Sequence, residues 1–185
     1  GAQVGLLVQA STWNAVTDSY IAGGTSYGAH LTSQSDNNTV TRSTVVVDAA
    51  GIPAVYLNGA SSTSLRHVYA RGASALSAAV ATNTVVESSL LVATAAAGDA
   101  LSMAGPSVGL SLASSTLQAP AGGRGLALAE GFAGTVSVGS AVVTGAGTGV
   151  EVATGTAGFA LAFDSVTFRG LAAGATALRF LGGTV

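Results

Sequence analysis

The sequence predicts an all-β fold: a right-handed, single-stranded parallel β-helix with three sheets and about 7–8 coils. Composition is the first observation behind this prediction, since hydrophobic residues make up 49% of the chain, charged residues 8%, and 26 residues are glycine. Long amphipathic helices need charged residues on their wet side, and these are too few. Ser, Thr and Gly at exposed positions instead suit short strands joined by tight turns.

A repeated strand start is the second observation. A small residue is followed by an apolar, a variable and an apolar residue, and strand alternation turns the two apolar residues inward. The first apolar residues of the eight units are Leu6, Ala29, Val55, Leu76, Leu101, Leu126, Val150 and Leu178, at intervals of 21–28 residues. This spacing predicts one coil per interval.

Two further inward columns follow the first one in every full coil. The second column is predicted at Val16, Val40, Leu65, Val85, Leu112, Val136 and Leu161. The third is predicted at Ile21, Val45, Ala70, Leu90, Leu117, Ala141 and Val166. Three columns that stay in step predict three strands per coil and three parallel sheets. A β-sandwich with turns at similar spacing is the alternative, although its strands would not keep three fixed offsets.

Small polar residues recur at the bends between these columns. One set is predicted at Ser19, Ser43, Ser88 and Ser115, and another at Asn14, Asn38, Thr63 and Asn83. Stacked side chains of this kind can hydrogen-bond to bend backbone groups that the sheets leave unpaired.

The repeat resembles the parallel β-helix repeat of the pectate-lyase-like superfamily. The segments that carry the resemblance run from Gly28 through Asn38 to Val45, and from Asn83 to Leu90. The resemblance implies an architecture, with right-handed coils, rather than one activity. Similar repeats occur in bacterial adhesins and autotransporter passengers and in fibrocystin-type surface proteins. In the enzymes of the superfamily, substrate lies along one outward sheet face.

Residues 1–185 are expected to form one β-helical domain. No capping helix is apparent in the sequence at either end, and exposed sheet edges are usually covered. We therefore expect a segment of a longer chain or assembly, with flanking domains or end-to-end neighbours as partners.

Charge and composition disfavour several functional classes. The net charge of −2 gives no basic footprint for nucleic acid, and no 18-residue apolar run predicts membrane insertion. Cysteine is absent and the two histidines lack further ligands, so no metal or other cofactor is expected. The glycine-rich segments 122–125 and 145–149 lack the Lys and the following helix of a phosphate loop.

The outward column of the first sheet is predicted to be Leu7, His30, Tyr56, Ser77, Ser102, Ala127, Glu151 and Arg179. It offers one carboxylate, whereas glycoside hydrolysis needs two or more, so no catalytic residue is expected. His30 beside Tyr56 is a candidate patch for stacking against a sugar, or simply a pair of exposed strand residues.

A second candidate surface lies two positions after the second column. Asp18, Arg42, His67 and Glu87, with Arg66 beside them, form either a charge ladder or a ligand site. Arg42, Arg66 and Arg71 are an alternative weak anion site. Asn37 begins the sequon Asn37-Asn38-Thr39 and is a candidate N-glycosylation acceptor.

These observations favour a secreted or cell-surface protein that acts without catalysis as a stiff rod or an adhesive, recognition surface. Carbohydrate and surface proteins are the expected ligand classes. A polysaccharide-binding or polysaccharide-degrading β-helix and a subunit of an extracellular fibre are the alternatives.

Overall fold

The computed structural model describes residues 3–153 and 158–181, which contain 22 β-strands and no helix. The first sheet contains β1 (Leu6–Gln9), β4 (Ala29–Asp36), β7 (Val55–Ser61), β10 (Leu76–Ala79), β13 (Asp99–Ala104), β16 (Arg124–Leu128), β19 (Thr148–Val152) and β22 (Thr176–Phe180). The second contains β2 (Ala15–Thr17), β5 (Thr39–Thr41), β8 (Ser64–Arg66), β11 (Thr82–Glu87), β14 (Val108–Ala113), β17 (Ala133–Gly139) and β20 (Phe159–Asp164). The third contains β3 (Tyr20–Gly23), β6 (Thr44–Val47), β9 (Tyr69–Gly72), β12 (Leu90–Ala93), β15 (Thr116–Gln118), β18 (Val142–Thr144) and β21 (Thr167–Arg169).

Every described strand pair is parallel, and each strand pairs with its counterpart one coil further along the chain. The chain therefore forms a parallel β-solenoid of about seven turns, which confirms the predicted fold class. A β-sandwich is excluded because its sheets would be antiparallel. The first and second sheets are hydrogen-bonded to each other at their corner in the middle coils, where Ser61 pairs with Thr82.

The first inward column is confirmed at all eight positions. Leu6 pairs with Ala29, Leu76 with Leu101, and Val150 with Leu178. The small residue before each apolar one lies at or beside the start of its strand, where the packing is tight: a Cβ at Gly149 would lie 2.4 Å from the Ala177 carbonyl oxygen. Glycine or alanine at this position therefore fixes where each coil begins.

The second and third columns are correct in the first three coils and in the fifth, and wrong in the fourth, sixth and seventh. The paired inward residues of the second column are Val86, Val138 and Phe163 rather than Val85, Val136 and Leu161. Those of the third column are Leu91, Val143 and Phe168 rather than Leu90, Ala141 and Val166. The error is one residue in the fourth coil and two residues in the last two coils.

The corner between the second and third sheets has one left-handed residue in every coil. These residues are Asp18, Arg42, His67, Ser88, Ser114, Ser140 and Ser165, with φ between 46° and 58°. The residue after each of them carries the polar ladder in four of the coils. Because Ser88 occupies the left-handed position, Ser89 and not Ser88 belongs to the ladder.

Hydrogen bonds in this ladder run from the backbone of one coil to a hydroxyl of the next. The N–H of Ser19 donates to Ser43 Oγ at 3.1 Å, and the N–H of Ser89 donates to Ser115 Oγ at 3.0 Å. Val68 replaces serine in this ladder and has no side-chain hydroxyl, yet its N–H donates to Ser89 Oγ at 3.0 Å. The serine hydroxyls thus satisfy corner N–H groups that no sheet can reach.

The corner between the first and second sheets carries the asparagine ladder. Asn14 donates from both its backbone and its side chain to Asn38 Oδ1, each at 2.9 Å. The prediction of Asn83 is wrong, since Thr84 pairs in this column and Asn83 is exposed. Thr63 and Thr84 are buried, and their Oγ1 atoms have no hydrogen-bond partner.

The core consists of the three inward columns and is closed in the middle coils, where Leu57, Leu101 and Leu126 are fully buried. The last coil is more open, with Leu178 40% and Phe180 47% exposed. Neighbours at the coil ends stay a prediction. No helix that could span a bilayer occurs in the part of the chain described.

Candidate functional site

The outward face of the first sheet, called here the first face, has the predicted composition along its whole length. Register pairs Leu7 with His30, Tyr56 with Ser77, and Glu151 with Arg179. Small side chains occupy the middle of the face, at Ser77, Ser102 and Ala127. The Oγ of Ser102 donates to Ser77 Oγ at 3.2 Å, which leaves a low floor between two groups of larger side chains.

Three rings form the first group, called the aromatic patch: Tyr27, His30 and Tyr56. The ring centroids of Tyr27 and Tyr56 are 4.8 Å apart and the rings are stacked at 21°. Tyr27 lies 4.7 Å from His30, and His30 lies 5.2 Å from Tyr56. Tyr27 lies two residues before the start of β4. Its ring therefore packs against His30 and Tyr56 from the corner that leads into the strand.

The rings shield the His30 imidazole from water. Its Nε2 atom is buried and has no hydrogen-bond partner. Burial lowers the pKa of His30 below its ordinary value of 6.5, because the charged imidazolium loses more solvation than the neutral ring. A neutral imidazole beside two stacked phenol rings gives the patch an uncharged, amphipathic surface.

Four charged side chains form the second group, called the ionic cluster: Asp99, Arg124, Glu151 and Arg179. Arg124 binds Asp99 in a bidentate manner, with Nε–Oδ1 at 2.7 Å and Nη2–Oδ2 at 2.8 Å. Its Nη1 lies 2.6 Å from Glu151 Oε1, and Arg179 Nη1 lies 3.3 Å from Glu151 Oε2. The Arg124 guanidinium therefore joins two carboxylates, that of Asp99 in the preceding coil and that of Glu151 in the following coil.

Burial distinguishes this cluster from a surface ion pair. The side chains of Asp99 and Glu151 are 11% and 9% exposed, whereas that of Arg124 is 36% exposed. The hydrogen bond to Asp99 raises the pKa of Arg124 the most, and the hydrogen bond to Glu151 raises it further. Burial acts in the opposite direction, but the pKa remains raised. Such a pair must stay intact, since removing one partner leaves a buried charge without compensation.

Sequence inspection along the single outward column missed Asp99 and Arg124. The pairing of Glu151 with Arg179 was expected, but the other two residues precede the inward column by two positions, at the coil corner. Register aligns Asp99 with Arg124 and Arg124 with Thr148. The signal that was present in the sequence is an acid and a base at the same offset in successive coils.

The charged residues at the corner between the second and third sheets form two ion pairs rather than one continuous ladder. Arg42 contacts Asp18 at 2.7 Å, and this hydrogen bond lowers the pKa of Asp18 and raises that of Arg42. Arg66 contacts Glu87 at 2.5 Å. Glu87 aligns with Arg66 and not with His67, so the predicted order of acid, base, imidazole and acid is not a single column.

This arrangement weakens the anion-site alternative. Arg42, Arg66 and Arg71 each contact a carboxylate, that of Asp18, Glu87 and Asp48 respectively, so their charges are already compensated.

Three other sequence features take places fixed by the repeat. His67 is exposed at its left-handed corner, with φ of 52°. Asn37 is half-buried at the corner between the first and second sheets, with φ of 55°. The glycine-rich segments 122–125 and 145–149 follow third-sheet strands and run into the first-sheet strands β16 and β19. No group of three or more potential metal-ligating side chains occurs in residues 3–153 and 158–181.

Comparison with solved structures shows the same fold in two carbohydrate-related proteins. A candidate glycosyl hydrolase from Parabacteroides merdae is 10% identical, with a TM-score of 0.61 over 83% of this chain and 82% of its own. The A-module of a mannuronan C-5 epimerase from Azotobacter vinelandii is 9% identical, with a TM-score of 0.57 over 98% of this chain. The chain spans 59% of that module. No family model and no curated protein matches the sequence.

These likenesses show a parallel β-helix fold, and they correct the expectation that the chain is not an enzyme. The two similar structures are a candidate hydrolase and an epimerase. The outward column holds one carboxylate, that of Glu151, as predicted, but Arg124 joins it to a second one, that of Asp99, which lies outside the column.

Proposed function

We propose that the protein recognises an extended polysaccharide along the first face. The observation that carries the proposal is that one outward column joins a three-ring aromatic patch to a cluster of charged side chains. The column covers eight strands, and seven steps of ~4.8 Å make it about 34 Å long. A polymer several sugars long fits this length.

The aromatic patch supports stacking with a sugar ring. Tyr27, His30 and Tyr56 present apolar ring surface together with hydroxyl groups at its edge. Sugar rings have the complementary form, with an apolar face and a rim of hydroxyls. The pairing of the three rings also restrains them before the ligand arrives, which reduces the entropy lost on binding.

The low floor supports a polymer rather than a single sugar. Ser77 and Ser102 place hydroxyls on the face without raising it, and Ala127 adds no polar group. A chain that stacks at the patch can therefore continue along the coil axis to the ionic cluster. Polysaccharides of this length are met at or outside the cell surface, so we propose that location for the protein.

A second candidate function is chemistry on the bound glycan at the ionic cluster. It is favoured by Asp99 and Glu151, whose carboxylates flank one guanidinium at the end of the same face. Carboxylates are the acid and base groups of glycoside hydrolysis, and a guanidinium stabilises developing negative charge. The hydrolase and epimerase with this fold support the same direction.

Binding and product formation are measured on one panel of soluble neutral and acidic polysaccharides. Calorimetry should detect a ligand, and Tyr56→Ala should weaken its binding about tenfold, since a stacked ring contributes ~1 kcal/mol or more. The exposed Tyr20, which lies on the third sheet, provides the control variant Tyr20→Ala. Equal binding by Tyr56→Ala and the unmodified protein would contradict the proposal.

Catalysis is tested on the polysaccharide that binds. New reducing ends indicate hydrolysis, an unsaturated sugar indicates elimination, and a changed proton spectrum without cleavage indicates epimerisation. Glu151→Gln should abolish whichever product appears while binding at the patch persists. A product that forms at an unchanged rate in Glu151→Gln would exclude the ionic cluster as its source.

A further inference from the structure

We infer that Trp13 is a second sugar-stacking subsite, outside the first face, for an uncharged sugar residue; this rests on the proposed function. Trp13 lies at the corner between β1 and β2 and is the sole tryptophan of the chain. Its side chain is 78% exposed. The subsite would take a part of the polysaccharide that extends beyond the aromatic patch.

The repeat itself provides the comparison that singles out Trp13. Backbone hydrogen bonds and register align Trp13 with Asn37, Ser62, Asn83 and Gly109 in the next four coils. All five residues have positive φ, and the value for Trp13 is 63°. Asparagine and glycine adopt this conformation readily, whereas a bulky side chain does so at a cost.

Trp13 therefore carries two costs that none of the four residues aligned with it shows together. It holds a strained backbone conformation, and it exposes a large apolar surface to water. The turn does not require a tryptophan, since asparagine, serine or glycine forms it elsewhere in the same molecule. A strained, exposed indole at one of five aligned positions indicates a role in contact with a ligand.

The turn that holds Trp13 is rigid. The N–H of Trp13 donates to the Asp36 carbonyl at 3.1 Å. On either side, Asn14 Nδ2 donates to Ser11 Oγ at 2.9 Å, and Asn38 Nδ2 donates to the Ser11 carbonyl at 3.1 Å. Because these hydrogen bonds restrain the turn, the indole is preorganised, and little conformational entropy is lost when a ligand orders it.

The surroundings select the ligand class. Residues 9–16 contain no charged side chain but offer the Ser11 hydroxyl and the Asn14 amide beside the indole. The carboxylate of Asp36, whose backbone carbonyl accepts the Trp13 N–H, would repel an anionic sugar. An uncharged sugar with an apolar ring face fits this chemistry.

Distance along the chain is compatible with one ligand that contacts both subsites. Six residue steps separate Leu7, which neighbours His30 on the first face, from Trp13. The chain reaches at most about 20 Å over six steps. A neutral polysaccharide that leaves the patch at the first coil can therefore arrive at Trp13 within a few sugar units.

Tryptophan fluorescence tests this inference, because all tryptophan emission comes from Trp13. Cellohexaose, xylohexaose and mannohexaose are titrated into the full chain, with hexagalacturonate as the charged comparison, while calorimetry records binding independently. We expect at least one neutral hexasaccharide to shift the emission to shorter wavelength and to protect it from acrylamide. Trp13→Asn, which restores the residue of the neighbouring coil, should lower affinity about tenfold. Tyr20→Ala should leave affinity unchanged.

The possible failures are distinguishable. Calorimetric binding that Tyr56→Ala weakens, with no emission change and full affinity in Trp13→Asn, overturns the second subsite and leaves the proposed function standing. An emission change with binding that Tyr56→Ala does not weaken supports the subsite and overturns the aromatic patch. No binding of any hexasaccharide overturns the second subsite, and only if the polysaccharide panel also fails to bind is the proposed function overturned with it.

Discussion

Arg124 is the residue whose removal should most disturb the first face. Arg124→Met keeps much of the apolar stem but removes the guanidinium that bridges Asp99 and Glu151. Both carboxylates, 11% and 9% exposed, are then left in the protein without this partner. Breaking a fully buried pair costs about 3–5 kcal/mol, and an exposed pair about 0–1 kcal/mol.

The expected cost lies between these limits. Arg124 is 36% exposed, so solvent screens part of its interaction, and we expect a loss of about 2 kcal/mol in the free energy of unfolding. In a chain of this length, such a loss lowers the melting temperature by about 4–8 °C. Circular dichroism during thermal unfolding measures it.

A double-mutant cycle separates charge from packing. In Arg124→Met, Glu151 keeps Arg179 at 3.3 Å, whereas Asp99 loses its ion-pair partner. Asp99→Asn removes that uncompensated charge, so the combination with Arg124→Met should be more stable than Arg124→Met alone. Arg42→Met is the control, because Arg42 and Asp18 are 58% and 62% exposed and their loss should leave the melting temperature unchanged. Equal melting temperatures for Arg124→Met and the unmodified protein, or additive losses in the double variant, would refute the reasoning.

Three further predictions concern the core, a corner and the aromatic patch. Thr84→Val replaces a buried, unpartnered hydroxyl by a methyl group of similar size and should raise the free energy of unfolding by about 1 kcal/mol in urea titration; an equal or lower value would contradict this. Gly149→Ala places a Cβ 2.5 Å from the Phe168 ring and should destabilise by about 1–3 kcal/mol, whereas Gly139→Ala, with nothing within 4 Å, should be tolerated. Burial lowers the pKa of His30 in the folded state, so the unfolded chain takes up the proton more readily. The free energy of unfolding should therefore be highest above pH 6.5 and fall as the pH drops below that value. The melting temperature of His30→Gln should lack this pH dependence.

The first inward column could be predicted from the sequence because its corners allow only small residues. At Gly149, a side chain would collide with Ala177 and Phe168, so the position of the small residue fixes the register of the strand after it. The other two columns lack such a marker. Where two apolar residues adjoin, as at Val85 and Val86, alternation alone cannot decide which one faces the core.

The later errors have a related cause. Val136 and Val138 are both buried, on the same strand and the same side, so either fits an inward column. Backbone pairing, with Val138 opposite Leu112, makes the choice. A pattern of hydrophobic residues does not contain that pairing.

The candidate site was found in part for the same reason. His30 and Tyr56 belong to the outward column and were placed correctly beside each other. Tyr27 was missed because it lies in the corner before the strand, where periodicity no longer applies. Asp99 and Arg124 were missed because long side chains reach across a corner onto a face to which their backbone positions do not obviously belong.

The uniform step between coils has a consequence for any polymer that lies on the first face. Equivalent side chains recur about every 4.8 Å along the axis, so a ligand with its own repeat can shift by one unit and meet nearly the same surface. Over Ser77, Ser102 and Ala127 such shifts change little. Tyr27 interrupts this translational equivalence, because its ring covers the face at a single place, and under the proposed function we expect it to set the position of a bound chain.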